Sequence, residues 1–113
     1  MILKVLIIGF GNIGKRYLQA IESTKLRCEV FIYDIDKKKY ETQNKSKNIF
    51  FLKNLSYLPK KIDFCFFSSN SNKRFETIQQ TFSYVKPKFI IIEKILSQSV
   101  KDLNKIYNLF KNY

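Results

Sequence analysis

Three glycines near the N-terminus have the spacing of a diphosphate-binding turn. They lie in the segment Gly9-Phe10-Gly11-Asn12-Ile13-Gly14. In such a turn the first glycine allows a tight turn at the end of a strand, and the second lets the diphosphate come close to the backbone. The third lets the next helix pack closely on the sheet. The amides that begin the helix then face the negative charge, with the helix dipole behind them. The sequence therefore predicts that residues 9–14 bind the pyrophosphate of a dinucleotide.

An acidic residue follows at the distance that dinucleotide binding requires. Asp34 lies 20 residues after Gly14 (34 − 14 = 20), where an acid accepts a hydrogen bond from a ribose 2′-hydroxyl. Because a carboxylate would repel a 2′-phosphate, we expect NAD rather than NADP, although the cluster Lys37-Lys38-Lys39 is near enough to weaken that preference. We interpret those lysines as a solvated helix face. A tight turn without a ligand and a site for a nucleoside-bearing methyl donor remain as alternatives.

Polar residues follow two later apolar segments. The cluster Ser68-Ser69-Asn70-Ser71-Asn72 comes after IDFCFF, and Glu93-Lys94 comes after KFIII. Ligands of an open α/β sheet bind beyond the carboxyl ends of its strands, so we expect these residues to lie beside the glycine turn and Asp34. A lysine there could donate a proton to a substrate oxygen during hydride transfer. The alternative is a charge pair on the surface.

Strand-like and helical segments alternate along the chain. The patterns predict strands over residues 2–8, 28–33, 49–52, 62–67 and 88–92, and helices over 12–23, 73–84 and 99–110. Residues 37–47 are predicted to hold a short helix or a loop. The first helix is expected to bury Ile13, Tyr17, Ala20 and Ile21. This alternation predicts one α/β domain over residues 1–113, a Rossmann fold with an open, doubly wound parallel sheet of about five strands and flanking helices.

Composition excludes several other functions. The chain has no histidine, so a serine–histidine–acid triad is excluded, and with only two cysteines, interpreted as buried thiols, no metal site is expected. The net charge of +12 could indicate nucleic acid. The lysines are scattered, however, and the abundance of Ile, Asn, Phe and Tyr suggests an AT-rich coding background, so we predict no nucleic-acid partner.

No apolar run reaches the ~18 residues of a membrane span, and no signal-peptide cleavage site is visible, so a cytoplasmic location is expected.

Four segments together resemble a known enzyme family. KVLIIGFGNIGKRY, IYDID, IDFCFFSSNS and FIIIEKILSQSVKDL are similar to the N-terminal domain of the glucose–fructose oxidoreductase and inositol dehydrogenase (Gfo/Idh/MocA) family. The resemblance implies NAD(P)-dependent hydride transfer to or from a sugar-type hydroxyl or carbonyl. It assigns Lys94 as the catalytic residue, places Glu93 near the nicotinamide ribose, and puts Ser69, Asn70 and Ser71 along the cofactor.

The chain departs from the family pattern in residues and in length. Ile95 and Asn70 replace prolines of the family, and Arg74 stands where a histidine is frequent; such variants suggest members linked to surface-sugar biosynthesis. The family's C-terminal substrate domain is not contained in residues 1–113, so we expect the chain alone to be inactive. The apolar strand 88–92 should then self-associate or meet a partner chain that supplies the missing domain, unless the last helix covers it. A stand-alone NAD(H)-sensing module is the alternative function.

Overall fold

Five parallel strands form the sheet of this domain. The computed structural model describes residues 1–40, 46–70, 73–93 and 99–111, and within them the strand order is β3-β2-β1-β4-β5. The strands are β1 (Leu3–Ile8), β2 (Cys28–Tyr33), β3 (Ile49–Phe51), β4 (Phe64–Phe67) and β5 (Phe89–Ile92). The helices are α1 (Asn12–Ser23), α2 (Arg74–Phe82) and α3 (Val100–Lys111), with short 3₁₀ helices at Lys37–Tyr40 and Leu55–Tyr57.

Helices cover both faces of the sheet. Leu6 of the central strand β1 packs in a cluster with Ile78 of α2 and Ile106 of α3. Ile7, on the opposite face of β1, packs with Leu18 of α1. This arrangement explains why β1 is apolar on successive residues, and it confirms the predicted doubly wound α/β Rossmann fold. The strand order reverses between β1 and β4, so a crevice opens at the carboxyl ends of these two neighbouring strands.

The buried face of α1 agrees with the prediction in part. Tyr17 and Ile21 pack against the core as predicted, but the fully buried residues are Gly14 and Leu18, and Ile13 and Ala20 are exposed. The prediction followed the apolar side chains, but the helix meets the sheet through a glycine, which has no side chain to signal burial. The helix comes closest to the turn after β1 at Gly14. The next buried residue is therefore Leu18, four positions later on the same face of the helix.

Strand β4 begins two residues later than predicted. Ile62 and Asp63 precede it, and the Asp63 carboxylate accepts the Lys4 N–H at 2.9 Å. A side chain therefore replaces a backbone carbonyl at this end of the β1–β4 pairing. That hydrogen bond, with a smaller contribution from Lys88, lowers the pKa of Asp63. The carboxyl ends of β1 and β4, where the functional residues were predicted, stay in register from Val5–Phe64 to Ile8–Phe67.

Helix α3 covers one face of the edge strand β5. Ile90 and Ile92 contact the cluster that contains Ile106, together with Phe110 of α3. The other face of β5 stays open: Phe89 is 59% exposed and Ile91 is 38% exposed. The last helix therefore covers a face of the strand and leaves its edge free of described residues. None of the described helices is long and apolar enough to cross a membrane.

Candidate functional site

The three glycines have different surroundings, and those of Gly9 and Gly14 require the absence of a side chain. Gly9 has a φ of +94°, and a Cβ there would lie 2.6 Å from the Ser69 nitrogen. A Cβ on Gly14 would lie 2.1 Å from the Gly9 carbonyl oxygen, so no side chain fits at that position. A Cβ on Gly11 would meet nothing within 4 Å. The first and third glycines thus make the turn possible, while the second faces open space where a ligand can approach.

The N-terminus of α1 is open to an anion. Gly11 is the N-cap, in extended backbone with φ −79° and ψ −157°, and neither a capping side chain nor an acidic residue occupies the first turn. The first N–H groups of a helix have no partner within the helix. Asn12 and Ile13 are both exposed at this end. The geometry is therefore that of a phosphate site, with backbone donors and the positive end of the dipole facing solvent.

Phe10 contributes its backbone rather than its side chain. Its ring is fully buried and packs edge-on against Phe51, with the ring centroids 5.6 Å apart. Its N–H donates to the Asp34 carboxylate at 2.6 Å. Of the predicted site residues in the turn, Phe10 is the one whose side chain belongs to the core, and its N–H links the turn to the acid after β2.

Asp34 lies beside the glycine turn, as predicted, but its carboxylate is already engaged. The residue is only 6% exposed. Its Oδ2 accepts from the Phe10 N–H and from Lys39 Nζ at 3.2 Å, and its Oδ1 accepts from the Asp36 N–H at 2.8 Å. A carboxylate offers about four lone-pair positions. One position, on Oδ1, is left for a ribose hydroxyl, and a second bond from the ribose would have to displace Lys39.

The lysines after β2 are not a solvated helix face, so that interpretation was wrong for two of the three. Lys37 Nζ donates to the Asp34 carbonyl at 2.6 Å and lies 4.0 Å from the centroid of the Tyr33 ring. Lys39 pairs with the Asp34 carboxylate, while Lys38 is exposed. The buried carboxylate holds Lys39, whereas Lys37 is held by a backbone carbonyl and an aromatic ring.

Tyr40 contacts the backbone at Asp34, and no pattern in the sequence marked it as a site residue. Its hydroxyl accepts the Asp34 N–H at 2.6 Å and donates to the Leu52 carbonyl at 3.1 Å. Burial raises the pKa of Tyr40 to about 12, the hydrogen bond from Asp34 opposing the shift. The hydroxyl is therefore neutral, and it links the backbone just after β2, at Asp34, to the backbone just after β3, at Leu52.

Serines at the end of β4 adjoin the glycine turn. Ser68, which was not among the predicted cofactor residues, donates its hydroxyl to the Gly9 carbonyl at 2.7 Å. Ser69 has a buried hydroxyl without a hydrogen-bond partner among the described residues, and Asn70 is exposed. Ser71 and Lys94, two further residues of the predicted site, lie outside the described residues.

Glu93 lies at the end of β5 and is held by a tyrosine that the sequence assigned to the core. The Tyr17 hydroxyl donates to the Glu93 carboxylate, and the Tyr17 ring packs at a tilt against Phe66 with centroids 4.4 Å apart. Burial, with the hydrogen bond and the negative charge of Glu93, raises the pKa of Tyr17 to about 12. Tyr17 lies one helical turn after Gly14, so its position indicated that it faces the same strand ends as the turn, although not that Glu93 is its partner.

These residues form one site along the carboxyl edge of the sheet. Its members are Gly9, Gly11, Asn12, Ile13, Gly14, Asp34, Ser68, Ser69, Asn70, Glu93 and Tyr17. The helix N-terminus provides donors for a diphosphate at the centre. An acid with one free acceptor position lies on the β2 side, and polar groups lie on the β4–β5 side. Such an arrangement can bind an extended, doubly phosphorylated ligand across the β1–β4 crevice.

Comparison with known proteins agrees with this geometry. Residues 3–113 match the family model of the Gfo/Idh/MocA proteins, described as an oxidoreductase family with an NAD-binding Rossmann fold. No curated protein is significantly similar to the chain in sequence.

Solved structures share the fold over nearly the whole chain. An NAD-binding protein from Listeria innocua is 18% identical with a TM-score of 0.74, and the match covers 97% of this chain and 32% of that protein. An oxidoreductase from Desulfitobacterium hafniense described as NADPH-dependent is 21% identical, with a TM-score of 0.78 and the same coverage. UDP-N-acetylglucosamine 3-dehydrogenase from Acidithiobacillus ferrooxidans is 12% identical, with a TM-score of 0.72, covering 99% of this chain and 34% of that enzyme. The chain thus spans about one third of the length of these proteins.

The different surroundings of the glycines predict different effects on stability. Gly14→Ala should lower the free energy of unfolding by about 1–3 kcal/mol, because its methyl group would overlap the Gly9 carbonyl and move the helix off the turn. Gly11→Ala, with open space around the new Cβ, should change it by less than about 1 kcal/mol. Urea unfolding followed by circular dichroism measures both. Equal destabilisation by the two substitutions would contradict the close approach at Gly14.

Proposed function

Because the chain belongs to the Gfo/Idh/MocA family of NAD-binding oxidoreductases, we propose that it is the cofactor-binding part of an enzyme that oxidises or reduces a sugar-type substrate. NAD(P), when bound, supplies the carbon that takes up or releases the hydride. The observation that carries the proposal is the open helix N-terminus at Gly11, next to a buried acid with one free acceptor position. Both features lie where an NAD-binding Rossmann fold has its cofactor.

Different residues along the sheet edge bind different parts of the cofactor. The amides that begin α1 hold the pyrophosphate, and the free position on the Asp34 carboxylate accepts from the ribose of the adenosine half. Ser69, Asn70 and Glu93 border the nicotinamide half, at the ends of β4 and β5. Tyr17 fixes the direction of the Glu93 carboxylate through its hydroxyl.

Lys94 is proposed as the catalytic residue. It follows Glu93 directly in the sequence. In reduction its ammonium group would donate a proton to the carbonyl oxygen as the carbon receives the hydride, and in oxidation the neutral amine would accept the hydroxyl proton as the hydride leaves. Substrate contacts and exclusion of water require more protein than these 113 residues provide. We therefore propose that the reaction needs a substrate domain, and that the chain by itself has no turnover.

The substrate class is proposed from the family and from a shared fold. Family membership and the fold shared with a UDP-N-acetylglucosamine 3-dehydrogenase favour a sugar or nucleotide sugar, and we propose a role in surface-sugar biosynthesis. The alternative function is a stand-alone module that senses NAD(H) without catalysis. Such a module would need the glycine turn and Asp34, but it would not need a carboxylate held in place at the end of β5. The Tyr17–Glu93 hydrogen bond therefore favours the enzyme over the sensing module.

Cofactor binding is tested by calorimetry on the chain. NADH should bind with a micromolar or weaker affinity, and Gly11→Val should abolish binding because its side chain fills the approach of the pyrophosphate. Ala20→Val adds a similar volume on the exposed side of the same helix and should bind as the unchanged protein does. If Gly11→Val binds NADH as tightly as the unchanged chain, the assignment of the turn is wrong.

Selectivity between NAD and NADP is set by the balance of charge around Asp34. We propose that NAD is preferred. Asp34→Asn keeps a side-chain acceptor but removes the charge, and should raise the affinity for NADP relative to NAD roughly two- to fivefold. Lys39→Ala removes the compensating cation and should change the same ratio in the opposite direction. Tighter binding of NADP than NAD by the unchanged chain would refute the preference.

The edge of β5 is proposed as a contact with a second copy or with a partner chain that carries the substrate domain. The N–H groups of Phe89 and Glu93 donate to β4, so by alternation those of Ile90 and Ile92 point away from the sheet. An antiparallel pairing centred on Ile90 would satisfy these groups and place Phe89 opposite Ile91 of the second copy. Exposed apolar edges of this kind pair readily with other chains.

Light scattering tests that contact on the chain alone. We expect dimers or larger species, and Ile91→Lys should restore the monomer because it puts a charge on the open face of the edge. Tyr107→Lys is the control, since Tyr107 is also an exposed apolar residue but belongs to α3 and not to β5. A monodisperse monomer in which the Ile90 and Ile92 amides exchange slowly with solvent would rule out the open edge.

A further inference from the structure

Arg74, the first residue of α2, is a buried cation in an unfavourable place. It is 1% exposed, the largest fully buried side chain among the described residues. The N-terminus of a helix is the positive end of its dipole and favours acids. Burial lowers the pKa of the Arg74 guanidinium, and the negative charge of Glu93 opposes that shift. No carboxylate of the described residues lies within ion-pair distance of it.

The guanidinium joins the ends of two strands. Its Nη2 donates to the Ser69 carbonyl at 3.0 Å, just after β4, and its Nη1 donates to the Glu93 carbonyl at 3.4 Å, just after β5. Its Nε and the buried Ser69 hydroxyl find no partner among the described residues. A planar guanidinium holds two carbonyls in fixed directions, whereas an ammonium group on a flexible stem holds them less rigidly.

Stability alone does not account for this arrangement. An apolar side chain of similar volume would fill the same space without the cost of burying an incompletely bonded charge. The two carbonyls that Arg74 holds belong to Ser69 and Glu93, which are proposed to border the cofactor. In the sheet order, β4 and β5 lie on the opposite side of β1 from β2 and Asp34. A dinucleotide whose pyrophosphate lies at β1 and whose adenosine half lies toward Asp34 must extend its other half over these two strand ends.

We propose that Arg74 is a positioning residue, which holds the ends of β4 and β5 at the separation that the nicotinamide half of the cofactor requires. The inference rests on the proposed function and deepens it. Arg74 does not touch the reacting atoms; it acts through the backbone at Ser69 and Glu93. Its loss should therefore weaken binding of the nicotinamide half and leave binding of the adenosine half unchanged.

A comparison of two ligands separates this role from a contribution to folding. ADP-ribose contains the adenosine half and the pyrophosphate but no nicotinamide, whereas NADH contains all three. By calorimetry, Arg74→Met should weaken NADH binding roughly tenfold, the loss expected when charge-assisted hydrogen bonds are removed, with ADP-ribose affinity changed by less than about twofold. Arg74→Lys, which keeps the charge but not the fork, should give an intermediate loss for NADH.

Lys73→Met is the matched control. It removes the same charge from the same helix end, at an exposed residue for which only backbone hydrogen bonds are seen, and both ligands should bind it as before. Equal losses for NADH and ADP-ribose, or no loss for NADH, would overturn the role of Arg74. If Arg74→Met fails to fold, the ratio of the two affinities in Arg74→Lys decides by the same criterion. Failure of the unchanged chain to bind either ligand would instead refute the proposed function, and this inference with it.

Discussion

The close approach of α1 to the turn after β1 is the constraint on which the rest of the site depends. The backbone of Gly14 lies so near the Gly9 carbonyl that even a methyl group would overlap it. That contact fixes both the direction and the distance of the helix N-terminus. It also presents Leu18 to the sheet and Tyr17 to the ends of β4 and β5. Without it, the free amides of the first turn would not face the crevice between β1 and β4.

The same groups that would bind a cofactor also hold the domain together. Asp34 accepts the Phe10 N–H and so joins the glycine turn to the end of β2. Lys39 pairs with its carboxylate, Lys37 donates to its backbone carbonyl, and the Tyr40 hydroxyl accepts its N–H. The acid is therefore already oriented, with one acceptor position unused. A ligand that bonds to that position meets a group that loses little conformational freedom on binding.

The sequence predicted the fold and the position of the glycine turn because both depend on local signals. Glycine spacing, the alternation of segments and the acid after β2 are visible in a single chain, and the predicted bounds of α1 and β2 agree with the structure. The features that the sequence did not predict depend on contacts between residues that are far apart in the chain. Tyr17 and Glu93 are 76 positions apart, so nothing in either segment indicates their hydrogen bond. The engagement of Lys37 and Lys39 by Asp34 was missed because it depends on the acid being buried. The burial of Arg74 follows from the packing of α2 against two strand ends, which no local pattern encodes.

The central claim is that a dinucleotide lies across the β1–β4 crevice with its pyrophosphate at the N-terminus of α1. A titration of the ¹⁵N-labelled chain with NAD⁺, followed by amide chemical shifts, tests it most directly. The account predicts the largest shifts at the Gly11, Asn12 and Ile13 amides, with smaller ones at Asp36 and Ser69 on the two sides. Shifts confined to the amino ends of the strands, or spread over the exposed lysines without a maximum at Gly11, would contradict it.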